Sequence, residues 1–291
     1  MQDDDPVVQR RRLRVALRQL RTATGNSVIQ VAGALGWSHS KVVRIENGDV
    51  GLSLTDLRAL LAHYGVTEPT QVDEYVNMAK ISRRQPSVNQ YIGTFSKETL
   101  SFFQLQQRAR EFRHVEPMFV PGLLQTERYM EAVLRRFSKN TDEDFLQRKS
   151  RGRLEHHELI FAPDHDVQMY FIIDEAVLRR RIGDDNAIMV EQIESLREIS
   201  RRSNVHLQVA PFSAGLHVGM RGPFVILELP IEEDDNNILY FENPRGDVVV
   251  REDQEEIRSY LAQFYDLQKE SVPEEEIDAF LERVVSDLVG A

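Results

Sequence analysis

Residues 27–48, SVIQVAGALGWSHSKVVRIENG, restrict the local fold more tightly than any other stretch of the chain. Ser27 followed three positions later by Gln30 is a capping-box pattern, in which each side chain satisfies a free amide at a helix start. Val31, Ala32 and Leu35 give that helix a buried face, and Gly36 stops it. Ser38 then opens a second helix as its N-cap. Trp37 and Val42 sit where a hydrophobic staple fixes the entry angle. With Val42 and Ile45 turned inward, helical geometry sends His39, Ser40, Val43 and Arg44 outward and leaves Lys41 at the edge. Asn47 and Gly48 suit a closing turn.

The flanks extend this pair into an all-α module over 1–82. In RRRLRVALRQLRTATG (10–25), Leu13, Leu17 and Leu20 recur at helical spacing, while Arg14, Arg18 and Arg21 form a separate basic stripe. SLTDLRALLAHYGV (53–66) reads as a helix capped by Ser53, with Leu57, Leu60, Leu61 and Tyr64 on one face, and TQVDEYVNMAKIS (70–82) as another. Two helices across a tight turn, the second capped and polar on its outer face, form a helix-turn-helix. The chain as a whole carries a formal net charge of −11, the wrong sign for a polyanion. Yet residues 6–48 hold eight Lys or Arg against a single acid, Glu46. Screening confines each charge to about 8–10 Å at physiological salt, so a basic face meets phosphate whatever a distant acidic region carries.

Through Ser27, Ala32, Leu35, Gly36, Ser38, Val42, Ile45, Glu46, Asn47 and Gly48 the module resembles the DNA-binding domains of phage repressors and of xenobiotic-response-element type regulators. The resemblance implies that His39, Ser40, Val43 and Arg44 read base edges. In that role Arg44 would take guanine O6 and N7, and Val43 a thymine methyl. It implies that Ser38, Lys41, Asn47, Arg14 and Arg18 meet phosphate. Many relatives place a glutamine at the position of Val28, and Val28 lacks the donor for that backbone contact.

RRQPSVNQYIGTFS (83–96) breaks the helical pattern with Pro86 and Gly93 and reads as a linker. Residues 97–291 read as an α+β domain with a small, mostly antiparallel sheet. KETLSFFQLQQRAREFRH, TERYMEAVLRRF and TDEDFLQRKSRGRLEHHELIF suggest helices. VQMYFII, NVHLQVA, PFVILEL, NILYFE and DVVVR suggest strands, and EDQEEIRSYLAQFYDL and PEEEIDAFLERVVSDL two closing helices. Four stretches, at 115–130, 174–180, 204–230 and 238–250, resemble a C-terminal domain of unknown function attached to actinobacterial helix-turn-helix regulators and grouped with antitoxin-like regulators. That likeness implies a small regulatory protein as a partner. VPGLLQT and PFSAGLHVGMRGPF offer Pro121, Gly122, Leu123, Gln125, Gly215, His217 and Gly219 as a partner or ligand site, or equally as turn punctuation.

Catalytic signatures are missing from the sequence. His156 and His157 in EHHELIF, followed by PDHD (163–166), fall short of the zincin pattern, because Phe161 stands where a second histidine is needed. They read instead as a solvated helix end. No phosphate loop and no nucleophile elbow occurs. The absence of cysteine removes disulfides, thiolate metal sites and cysteine nucleophiles, and fits a reducing compartment. No segment reads as a secretory signal or a membrane span. The expectation is a cytoplasmic, non-enzymatic regulator without metal or cofactor, binding double-stranded DNA as a homodimer and receiving a protein or small-molecule signal. The alternative is an antitoxin-like partner that binds a small protein and autoregulates.

Overall fold

The computed structural model describes residues 6–47, 52–82, 91–162, 167–183, 186–230, 237–242, 248–251 and 253–290. They form two compact units, the second beginning at Tyr91. Of the expected linker, 83–90 lies outside the described residues, and Tyr91–Ser96 belong to the second unit.

Among the described residues the first unit has five helices: α1 (Pro6–Ala23), α2 (Val28–Leu35), α3 (His39–Asn47), α4 (Leu54–His63) and α5 (Pro69–Ser82). The caps form as the sequence predicts. Gln30 N donates to Ser27 Oγ at 3.3 Å and Ser27 N to Gln30 Oε1 at 2.8 Å. Gly36 ends α2 at φ +65°, a conformation costly for any residue with a Cβ. Lys41 N donates to Ser38 Oγ and Asp56 N to Ser53 Oγ, closing the starts of α3 and α4. Leu13 and Leu17 of α1, Val31 and Ala32 of α2, Val42 and Ile45 of α3 and Leu57, Leu60 and Leu61 of α4 share one core, with Trp37 packed against it. Burying each such leucine contributes about 1.5–3 kcal/mol. That term, more than helix propensity, holds helices as short as α2 in place.

The second unit contains α6 (Lys97–Gln106), β1 (Glu111–Glu116), α7 (Glu127–Phe137), α8 (Glu143–Ile160), β2 (Gln168–Asp174), α9 (Glu175–Arg179) and α10 (Ala187–Ile199). After them come β3 (Val205–Ala210), β4 (Phe224–Glu228), β5 (Asn237–Glu242), β6 (Val248–Arg251), α11 (Gln254–Glu270) and α12 (Ile277–Gly290). The six strands lie in the order β3-β2-β1-β4-β5-β6. β1 pairs parallel with β2, and β2 parallel with β3; the pairings β1–β4, β4–β5 and β5–β6 are antiparallel. The helix expected to run on through His114 stops at Gln106. The residues after it form β1, the strand at which the parallel and antiparallel halves meet. Arg110 extends that pairing, its N–H donating to Glu228 O while its own carbonyl accepts from Gln168 N.

Strand alternation divides the sheet into two faces. Val115, Ile172, Ile226 and Leu239 share a core with Ile257, Phe264 and Leu267 of α11. On the other face His114 pairs across to Val225, and Val225 to Tyr240. Phe102 of α6 stacks on Tyr240 at 3.7 Å. α8 is covered in turn by the segment after Tyr91. A Cβ on Gly152 would stand 2.6 Å from Phe95 and 2.9 Å from Tyr91, so that approach requires glycine.

Candidate functional site

In the first unit the first turn of α3 forms an exposed polar surface. His39 and Ser40 are exposed, Val43 is half-buried, and Val42 and Ile45 beneath them are buried. The first amides of a helix lack intrahelical acceptors. Ser38 Oγ serves Lys41 N, which leaves the amides of His39 and Ser40 for an outside acceptor, at the positive end of the helix dipole. Ser38 and Ser40 hydroxyls lie 3.2 Å apart, so Ser38, His39 and Ser40 present one polar edge. Arg44 and Asn47 belong to α3, but their side chains lie outside the described residues.

The cations around this surface fall into two groups, a distinction absent from the sequence. Arg21 is engaged internally: Nε donates to Glu46 Oε1 at 2.6 Å and Nη2 to Oε2 at 3.0 Å, a bidentate pair with a buried carboxylate. The hydrogen bond to Glu46 raises the Arg21 pKa. Arg18, half-buried, donates to Glu46 O at 3.3 Å and ties α1 to the C-terminal turn of α3, the end where a cation is favoured. Arg14 is half-buried on the same helix. Lys41 donates to Asp56 Oδ1 at 2.9 Å and lies 3.9 Å from the centroid of the Trp37 ring. Burial works to raise the Asp56 carboxyl, and hydrogen bonds from Lys41 and Ser53 outweigh it and hold the group below its ordinary value. The pair is about a third exposed, so water competes with it.

In the second unit a cavity of about 210 Å³ opens on the sheet face opposite α11. α8 supplies Lys149, Arg153 and His156; α6 and its cap supply Ser96, Thr99 and Phe102. His114, Tyr240 and Glu242 close it from the sheet, with Gly122 and Leu123 at one side. Burial depresses the pKa of Lys149, and the neighbouring Arg153 depresses it further; burial likewise lowers Arg153. His114 is pushed down to about 3 by burial and is a neutral ring at pH 7. His156 corrects the reading of a solvated helix end. It is 5% exposed, its Nε2 lies 3.0 Å from Gln106 Oε1, and Phe103 stacks on it at 4.1 Å. Residues 163–166 lie outside the described residues. Among the described residues no group of three His, Asp or Glu is placed to hold a metal ion, and no helix is long and apolar enough to cross a membrane.

The structure does not bring the two turn-rich stretches together. Gly122 and Leu123 border the cavity, whereas Gly219 packs against Val115 and Leu267 on the α11 face, where a Cβ would meet Val115 at 2.9 Å. Thr126 caps α7, its hydroxyl accepting from Tyr129 N. Buried Gln192 clamps the preceding turn, accepting from Thr126 N at 2.8 Å and donating to Leu124 O at 2.7 Å. Gln125 donates to Val120 O, and Pro121 is buried. His217 pairs with Asp174 at 2.9 Å, and Gly215 sits at φ +69°.

Comparison with known proteins matches both units. The family described as a helix-turn-helix domain covers residues 12–74. The family described as a domain of unknown function (DUF5753) covers residues 99–283, well over half of the chain. No curated protein and no solved structure matches.

Proposed function

The chain belongs to the DUF5753 family and carries a helix-turn-helix domain ahead of that domain; from that premise we propose that it is a sequence-specific transcriptional regulator. The helix-turn-helix domain supports DNA binding. The capped first turn of α3, with His39 and Ser40 exposed over buried Val42 and Ile45, is the single observation that carries the finer reading. In it α3 enters the major groove, with His39, Ser40, Val43 and Arg44 at base edges and Ser38, Lys41, Asn47, Arg14 and Arg18 along the phosphates. One such module makes few contacts. The protein therefore acts as a homodimer on two half-sites about 34–36 Å apart. The second unit dimerises and receives the signal, and catalyses no reaction.

The test is Arg44→Ala on DNA fragments selected by the protein. We expect discrimination at one base pair per half-site to fall by about 1–3 kcal/mol, read as the ratio of affinities for matched and mismatched sites. Equal losses on both would remove the base-reading role.

A second reading, an antitoxin-like partner of a small protein, draws on the connection between β3 and β4. Phe212, Leu216 and Met220 there are 59%, 93% and 56% exposed, an apolar patch of the kind that marks protein contacts. A stoichiometric small protein captured from native lysate and lost in Leu216→Glu supports it; unchanged capture by that variant counts against it.

A further inference from the structure

We propose that the cavity between α6, α8 and the sheet binds a small aromatic carboxylate. The proposal deepens the signal-receiving role suggested for the second unit and rests on it.

Charge fixes one half of the ligand. Lys149 and Arg153 stand one turn apart on α8, both half-buried and both lining the cavity. Among the described residues the opposing charge that both feel is that of Glu242, and neither forms a close ion pair. Two like charges at this spacing repel, and burial withholds the water that would otherwise separate them. The cavity's carboxylate is Glu242, an exposed residue at the end of β5. His114 adds no positive charge at neutral pH, because burial keeps it neutral. The cavity therefore holds two cations against one anion, and a ligand carboxylate supplies the missing charge. Ser96 and Thr99, at the start of α6, add a mutually hydrogen-bonded pair of hydroxyls to the lining.

Shape fixes the other half. Phe95, Phe102, Phe103 and Tyr240 line the same space, and two of these rings already stack face to face. Aromatic walls favour a planar guest. An apolar cavity of roughly 150 Å³ holds benzene; about 210 Å³ therefore accommodates one ring with a small polar substituent.

Thr94, Phe95 and Ser96, which line the cavity, are among the first described residues after the last helix of the helix-turn-helix unit. Gly152 lets that segment lie directly on α8.

The experiment is calorimetric titration of the full-length protein, without DNA, using benzoate, its neutral analogue benzamide, and acetate as an anion without a ring. We expect saturable benzoate binding, with benzamide and acetate each weaker by about tenfold or more, the size of one charge-assisted contact. Lys149→Met should weaken benzoate by about tenfold while leaving the protein's melting temperature unchanged or higher, because a desolvated cation is removed. Arg153→Gln provides an independent second variant with the same expectation for benzoate. No saturation by benzoate, equal binding of benzamide or acetate, or unchanged benzoate binding in both folded variants would overturn the site. Because no DNA is present, any of these failures leaves the Arg44→Ala test of the DNA-binding reading untouched.

Discussion

Glu46 in the first unit and Glu116 in the second are buried to nearly the same degree, 6% and 7% exposed, yet they meet opposite surroundings. Glu46 accepts two hydrogen bonds from Arg21. Glu116 accepts from the amide of Met118, and its nearest basic group is the neutral ring of His114 at 3.9 Å. Burial drives the Glu116 carboxyl up to about 7, with Glu242 adding repulsion. The same contrast holds for cations: Arg21 and Lys41 have carboxylate partners within 3 Å, and Lys149 and Arg153 face a cavity instead. In the first unit buried charge joins helices together. In the second, buried Glu175 is likewise paired with Arg179, but among the described residues the two cations at the cavity have no such close carboxylate, which is the condition for recognising something from outside.

The largest effect expected from this contrast is on the Glu46 pair. Glu46→Ala strands Arg21 and should destabilise the first unit by about 3 kcal/mol, whereas joint replacement of both residues by methionine should recover most of that loss. Urea unfolding of the three variants measures the difference. A single variant as stable as the parent would show that the pair does not join α1 to α3.

The next effect is on pH dependence. The folded Glu116 carboxyl titrates near 7 against an ordinary 4.5, so between those values the folded state keeps a proton that the unfolded chain has released. Stability therefore falls as pH rises from 4.5 through about 7, by on the order of 3 kcal/mol, and stays reduced above. Glu116→Gln keeps the acceptor for Met118 N and should flatten this slope in melts at pH 5 and pH 7.5. An unchanged slope would place the titrating group elsewhere.

The smallest effect concerns the exposed pair. Asp56→Asn frees Lys41 and should strengthen binding to DNA of any sequence by about two- to fivefold at low salt, the range of a surface ion pair. A loss of DNA affinity would mean that Asp56 holds Lys41 in place for the duplex.

How far the sequence disclosed each region follows the range of the interactions involved. Ser27 with Gln30, Ser38 with Lys41 and Gly36 act within four residues, so the caps and the turn of the first unit were legible directly. The Arg21–Glu46 and Lys41–Asp56 pairs join separate helices, so the charge count of 6–48 overstated what remains for phosphate. β1 was concealed for a different reason. Glu111, Arg113, His114 and Glu116 make EFRHVE too polar for an interior strand of a sheet, and it follows α6 after a short turn. Those polar groups are accommodated by tertiary neighbours, as Arg113 is between the rings of Tyr170 and Tyr265 at 5.5 and 5.4 Å. The cavity draws on residues from 94 to 242, and no local pattern announces it.

The central claim, that the first turn of α3 is the surface that meets DNA, is tested most directly by amide hydrogen exchange of the full chain with and without a selected DNA fragment. Slowed exchange concentrated in 38–47, with little change in α4, is the result expected. Protection confined to other segments, with 38–47 exchanging as in the free protein, would contradict it.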